Sequence, residues 1–135
     1  MILRYSLDTN LCIRVLRDRP QGLRGRFNAE AEALSISDVV LYELLYAAER
    51  SADPARNRRS VESFAARLAV LPFDSDAAAH AADIRAELER RGAVIGPYDL
   101  MIAGHARSRG LIIVTGNLGE FERVPGLRCE DWLAA

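Results

Sequence analysis

The run Leu111-Ile112-Ile113-Val114-Thr115 decides the fold of this chain. It is apolar up to its last residue and rich in β-branched side chains, which is typical of a strand buried on both faces. Shorter runs at 2–7 and 34–36 predict two further strands, and 70–73 predicts a strand or a loop. Because helical segments separate these runs, we expect an α/β fold with a parallel sheet and helices on both sides.

Apolar periodicity and capping residues predict the helices between the strands. A long helix is expected to begin at Asp74 or Ser75 and to end before Gly92, and another is expected to begin at Pro97. The remaining helices are predicted at 11–17, at 23–29, from Ser37 or Asp38 to about 50, and from 53 to 69. No repeat or long linker divides the sequence, so we treat residues 1–135 as a single domain.

Composition narrows the classes of function. All 18 basic residues are arginine, which excludes lysine-dependent chemistry and a P-loop. The net charge of −1 argues against a general nucleic-acid coat protein, but a nuclease with an acidic site is compatible with it. The only cysteines, Cys12 and Cys129, are far apart and are expected to be reduced. No membrane span is expected, and no signal peptide, because Asp8 ends the first apolar run early; we therefore expect a cytoplasmic protein.

Two polar residues follow predicted strands. Asp8 comes directly after the first strand and Asn117 follows the strand at 111–115. Ligands of open parallel sheets bind at the carboxyl ends of the strands, so both residues are expected at one edge. Asp8 is either a metal ligand that Asn10 orients, or simply the N-cap of the next helix.

Two further acids lie in apolar helices. Glu43 has apolar residues three and four positions away, which predicts that it faces the core or a cleft rather than solvent. Asp99 follows Pro97 in the first turn of its helix, where the helix dipole alone favours an acid. His105 on the same helix is expected to be a structural histidine with its hydrogen bonds satisfied.

The loop after the buried strand, Thr115-Gly116-Asn117-Leu118-Gly119-Glu120, contains two more oxygen donors. Asn117 could coordinate a metal or hold a metal-bound water, and Glu120 could supply a fourth carboxylate; an ordinary turn is the alternative. Buried carboxylates are costly unless they are paired or bound to a cation. Oxygen donors of this kind suit Mg²⁺, with Mn²⁺ as a possible substitute.

Four short motifs together resemble the PIN-domain nucleases, and more closely the VapC-type toxins of toxin–antitoxin pairs. They are Asp8-Thr9-Asn10, Ser37 followed by Glu43-Leu44, Asp99-Leu100-Met101-Ile102-Ala103, and Thr115-Gly116-Asn117. The resemblance extends over nearly all of the chain. The segment from Gly96 to Gly110 is especially similar to VapC toxins that cut initiator tRNA.

The resemblance implies a PIN-like fold with about four to five strands and a site for catalysis. Asp8 and Asp99 would be the main Mg²⁺ ligands, and Glu43 would bind or position metal and water. Ser37 and Thr115 would orient the carboxylates. The family usually carries Asp near the position of Asn117, and the neutral amide here argues against a second permanently bound ion.

The resemblance also implies a metal-dependent endoribonuclease that a cognate VapB-type antitoxin inhibits, with tRNA as substrate and a homodimer within a larger assembly. Arginine supplies the fork that binds phosphate. The candidate RNA-contacting residues, most of them expected to be merely solvated, are Arg56, Arg58, Arg59, Arg90, Arg91, Arg107 and Arg109.

Two other functions compete with this one. A phosphatase could use Asp8 as a nucleophile, but that chemistry usually needs a second Asp where this chain has Asn10, and a lysine. A degenerate PIN domain could bind RNA or protein without cleaving it, but the presence of all three principal acids argues against that function.

Overall fold

The computed structural model describes residues 2–133, so Met1 and the last two residues of the predicted single domain lie outside the described residues. The strands are β1 Tyr5–Leu7, β2 Leu34–Ser37, β3 Ala69–Leu71, β4 Ile112–Val114 and β5 Cys129–Glu130. They form one parallel sheet in the order β3-β2-β1-β4-β5. The predicted α/β fold, with helices on both sides of a short parallel sheet, is therefore confirmed.

The α-helices within residues 2–133 are α1 Thr9–Arg17, α2 Leu23–Glu30, α3 Asp38–Glu49, α4 Pro54–Ala65, α5 Ser75–Arg90, α6 Pro97–Arg109 and α7 Leu118–Phe121. Asp74 caps α5, since its carboxylate accepts a hydrogen bond from the backbone N–H of Ala77 at 3.0 Å. None of these helices is long and apolar enough to cross a membrane.

The structure corrects two predicted boundaries and adds three short elements, the 3₁₀ helix Ala31–Ala33, α7 and β5. The first strand begins at Tyr5 rather than at residue 2. The helix predicted to run from 53 to 69 ends at Ala65, and Ala69 instead begins β3 by pairing with Ser35. A local apolar pattern could not reveal that β2 needs a partner on this side. The elements α7 and β5 were not predicted because they have only four and two residues.

The side chains in the middle of the sheet are buried from solvent. Leu7, Ile36 and Ile113 are fully buried, which agrees with helices covering both faces. The chain runs from β1 outward to β2 and β3, and it later returns to place β4 on the other side of β1. Such a reversal of strand order opens a crevice at the carboxyl ends of the two strands, here β1 and β4.

A close helix contact fixes α6, which carries Asp99. Gly104 of α6 lies so near α5 that an added Cβ would be 2.6 Å from the backbone nitrogen of Ala81 and 2.7 Å from its Cα. Backbone atoms cannot move aside as a flexible side chain can, so the position requires glycine.

We therefore expect Gly104→Ala to destabilise the protein by about 1–3 kcal/mol, because overpacking outweighs the better helix propensity of alanine. Gly25→Ala in α2 is the matched control. A Cβ there meets nothing within 4 Å, so this change should be neutral or stabilising. Guanidinium denaturation measures both changes, and equal midpoints for the two variants would contradict this account of the contact.

Candidate active site

Asp8 lies at the crevice, directly after β1, and only 3% of its surface is exposed. The hydroxyl of Thr115, which follows β4, donates a hydrogen bond to Oδ2 of Asp8. The other oxygen, Oδ1, accepts a hydrogen bond from the backbone N–H of Leu11 at 2.8 Å. The two alternatives for Asp8 are therefore compatible, since it caps α1 while its carboxylate lines the crevice.

Burial is the largest influence on the pKa of Asp8 and raises it. The hydrogen bonds from Thr115 and Leu11 act in the opposite direction, and the negative charges of Glu43 and Glu120 raise the pKa further. Hydrogen-bond donors therefore hold the Asp8 carboxylate in place, while the negative charges of neighbouring acids disfavour its ionised form.

Glu43 is half-buried on α3, and its Oε1 accepts a hydrogen bond from the hydroxyl of Thr9 at 2.5 Å. Sequence reasoning assigned no role to Thr9. Its position directly after Asp8, in the first turn of α1, could have indicated one, because side chains there point back toward the strand ends. Thr9 thereby joins α1 to α3 at the crevice.

Asp99 lies in the first turn of α6, close to Glu120. The backbone N–H of Gly96 donates to Oε1 of Glu120 at 2.9 Å. A Cβ at Gly96 would lie 3.5 Å from Oδ2 of Asp99 and 3.8 Å from Oε1 of Glu120. Gly96 therefore lies within ordinary contact distance of both acids, which places the two carboxylates close to each other.

The pKa of Asp99 is raised to about 7. Burial is the main cause, followed by the charge of Glu120 and a hydrogen bond with it, and then by the charges of Asp8 and Glu43. The other three acids therefore all act on the carboxyl group of Asp99. A pKa displaced in this way, in a crevice, is typical of a functional site.

Asn117 supports two of these residues. Its backbone N–H donates to Oγ1 of Thr115 at 2.8 Å, and its side-chain Nδ2 donates to Oε2 of Glu120 at 2.7 Å. The amide thus connects the residue that holds Asp8 with the acid beside Asp99. Asn117 therefore lies between Thr115 and Glu120 and is hydrogen-bonded to both.

Ser37 and Asn10 have looser relations to the acids. Ser37 is fully buried and caps α3, and its Oγ accepts from the backbone N–H of Val40 at 3.4 Å. Asn10 is exposed on α1 and lines the crevice. The hydrogen bonds to Asp8 come from Thr115 and Leu11 instead.

The crevice has a volume of about 200 Å³ and brings together the three principal acids. Its lining residues are Asp8, Thr9, Asn10, Glu43, Gly96, Pro97, Tyr98 and Asp99. The lining includes three carboxylates and no basic side chain, so the negative charge is not balanced by these residues. We refer to this crevice as the acidic cleft.

The oxygen atoms that line the acidic cleft are suitable ligands for a hard divalent cation. Carboxylate and hydroxyl oxygens are the ligands Mg²⁺ and Mn²⁺ prefer, and a cation would offset the burial and the charge repulsion that raise the pKa of Asp99. Within residues 2–133, no three His, Cys, Asp or Glu side chains already converge as a metal-binding group. The carboxylates line one cleft but would have to move inward around an ion.

His105 is fully buried in α6. Burial is the largest influence on its pKa and lowers it, and the charge of Arg109 lowers it further. The charges of Asp74 and Asp38 and the backbone of Pro72 act in the opposite direction. The structural role of His105 stays a prediction.

Comparison with known proteins identifies the family. The family model of the PIN domain matches residues 5–127. The chain belongs to the PIN-domain family. It is 53% identical to the tRNA(fMet)-specific endonuclease VapC of Salmonella typhimurium, over 97% of this chain and 99% of that protein. It is also 46% identical to the ribonuclease VapC2 of Haemophilus influenzae, over 98% of this chain and all of that protein.

A solved structure agrees with this assignment. The DNA-bound VapBC complex of Salmonella typhimurium contains a chain that is 54% identical to this one and superposes with a TM-score of 0.92. The match covers 96% of this chain and 98% of that one. Within the PIN-domain family, the chain is therefore a VapC-type ribonuclease, as its motifs predict.

The raised pKa of Asp99 gives a testable pH dependence. In protein treated with EDTA, we expect the Asp99 carboxyl carbon to titrate near pH 7 by NMR. Glu120→Gln should lower this pKa, since it removes the nearest negative charge. Because a raised pKa in the folded state favours protonation, Asp99 should make the folded state less stable as pH rises from about 4 to 7.

Glu122→Gln is the control, since it removes one acid from the same part of the chain, and Glu122 is not among the groups that raise the pKa of Asp99. An unchanged Asp99 titration in Glu120→Gln, or an equal shift in Glu122→Gln, would contradict the proximity of Glu120 and Asp99.

Proposed function

We propose that this protein is a toxin that hydrolyses phosphodiester bonds of initiator tRNA in a metal-dependent reaction at the acidic cleft. The observation that carries the proposal is that Asp8, Glu43 and Asp99 line one cleft at the carboxyl ends of β1 and β4. The tRNA(fMet) specificity named for the Salmonella relative, which is 53% identical, supports the choice of substrate.

Each acid has a distinct part in this proposal. Asp8 and Asp99 hold the ion, because both line the cleft and come from separate elements. Glu43 positions the attacking water and accepts its proton, and the hydroxyl of Thr9 keeps its carboxylate turned into the cleft. Thr115 fixes Asp8 in the orientation that a ligand needs.

Glu120 and Asn117 complete the site as positioning residues. Asn117 and the backbone of Gly96 hold one oxygen each of the Glu120 carboxylate, which is thereby kept beside Asp99. We propose Mg²⁺ as the cofactor, with Mn²⁺ as a substitute, because the donors are oxygens. The bound cation supplies Lewis-acid stabilisation of the phosphate and lowers the pKa of a water.

The proposed regulation is by an antitoxin. Several of the similar solved structures are VapBC complexes, including those from Salmonella typhimurium and Rickettsia felis, which supports a VapB-type partner for this chain. A basic side chain of that partner would neutralise the acidic cleft by charge-assisted hydrogen bonds. The homodimer stays a prediction. Since tRNA is the proposed substrate, we place the activity in the cytoplasm.

We expect each of the isosteric variants Asp8→Asn, Asp99→Asn and Glu43→Gln to cleave initiator tRNA at least about 100-fold more slowly than the wild-type protein. Each variant removes a negative charge that the reaction uses. Asp76→Asn is the matched control: it removes an equivalent charge from the first turn of α5, away from the cleft, and should cleave normally. Gel analysis of antitoxin-free protein measures the rates, and circular dichroism checks folding.

Three active amide variants would contradict the proposed site. RNA binding without cleavage by the wild-type protein would favour the non-catalytic alternative instead.

Metal dependence is tested separately. We expect EDTA to stop cleavage, and excess Mg²⁺ or Mn²⁺ to restore it, since uncompensated carboxylates repel the phosphate that must approach them. The same initiator tRNA and the same gel measurement serve for both ions. Cleavage that continues in EDTA at the original rate would show that the mechanism uses no exchangeable cation.

A further inference from the structure

A second groove, with a volume of about 480 Å³, runs alongside the acidic cleft. Its lining residues are Asn10, Ile13, Arg14, Arg17, Arg19, Gly116 and Asn117. Asn10 lines both the groove and the acidic cleft, so the two are continuous at that residue. We refer to this feature as the arginine groove.

The groove follows the exposed side of α1. Asn10, Arg14 and Arg17 are spaced by four and three residues, which places them in one row along the helix. At about 1.5 Å of rise per residue, the row extends roughly 10 Å from the acidic cleft. Arg19 continues it beyond the end of α1.

The arginines of this groove are not paired with acids within residues 2–133. Arg14, Arg17 and Arg19 are exposed, and within residues 2–133 their guanidinium groups make no ion pair or hydrogen bond. Five of the seven arginines that the sequence suggested for RNA contact are instead paired with acids. These pairs are Arg58 with Glu49, Arg90 and Arg91 with Glu87, Arg107 with Asp83, and Arg109 with Asp74.

The charge of the arginine groove is opposite to that of the acidic cleft beside it. An RNA strand that reaches the acidic cleft brings phosphates toward several carboxylates, which repel them. Arginines placed beside the cleft, with no acid of their own, can bind those phosphates through charge-assisted, bidentate hydrogen bonds. We therefore propose that the arginine groove binds the phosphate backbone of the substrate RNA next to the bond that is cleaved.

The lining favours RNA over a protein segment as the occupant. An amphipathic helix needs an apolar surface to dock on, and Ile13 is the only large apolar residue lining the groove. RNA is a polyanion, and the row of arginines in the groove can bind its phosphates. The proposal rests on the proposed ribonuclease function, which it deepens by naming the residues that position the substrate.

The test combines Arg14→Gln and Arg17→Gln in one variant, since glutamine keeps the helix propensity and removes the charge. Binding to initiator tRNA is measured at several KCl concentrations and constant Mg²⁺, in an Asp99→Asn background that keeps the RNA intact. Each lost phosphate contact should reduce the slope of log affinity against log salt by about 0.7, hence about 1.4 for the pair. Affinity should fall roughly tenfold or more at 0.1 M salt.

The matched control is Arg85→Gln with Arg128→Gln. These two exposed arginines line neither the acidic cleft nor the arginine groove, and their removal changes the net charge equally. The control should keep the wild-type slope. Equal slopes for the two double variants, or a wild-type slope in the Arg14/Arg17 variant, would overturn the proposal.

A third measurement separates RNA from the antitoxin as the occupant. If the Arg14/Arg17 variant keeps its affinity for tRNA but loses affinity for the cognate antitoxin, the groove serves the partner and the proposal is wrong. Failure of the wild-type protein to cleave tRNA would instead count against the proposed function, because the salt dependence of binding is measured without cleavage.

Discussion

The hydrogen bond from Thr115 to Asp8 joins the ends of β4 and β1, and the geometry of the acidic cleft depends on it. The backbone repeats the link, since the N–H of Asp8 donates to the carbonyl oxygen of Val114 at 3.2 Å. Through Asn117, the same hydroxyl is connected to Glu120 and hence to Asp99 on α6. Strand pairing in the core is thereby converted into the placement of carboxylates at the surface.

This arrangement forces negative charges together without a basic residue among those lining the cleft. Burial and neighbouring charge raise the pKa values of Asp8 and Asp99, so the ionised carboxylates are energetically unfavourable where they lie. The packing of the buried strands holds them there nevertheless. A protein keeps such an unfavourable cluster where it has a use, and a divalent cation is the ligand that turns repulsion into binding. The arginines on α1 then offset the same charge for an approaching RNA.

The sequence predicted much of this and missed what depends on three-dimensional partners. Apolar runs separated by helical segments were enough to predict a parallel sheet, and four motifs in order along the chain were enough to predict the family. Thr9 was missed because its partner, Glu43, is 34 residues away. The unpaired arginines of the arginine groove were not identified from the sequence for the same reason, because only the structure shows which arginines are paired with acids.

A crystal structure of the antitoxin-free protein grown with Mn²⁺ tests the central claim most directly, because anomalous scattering locates the ion independently of any assumed ligand. The account predicts one Mn²⁺ in the acidic cleft, coordinated by carboxylate oxygens of both Asp8 and Asp99, with Glu43 directed at a water beside the ion. A strong anomalous peak elsewhere, together with an empty cleft at saturating Mn²⁺, would contradict it.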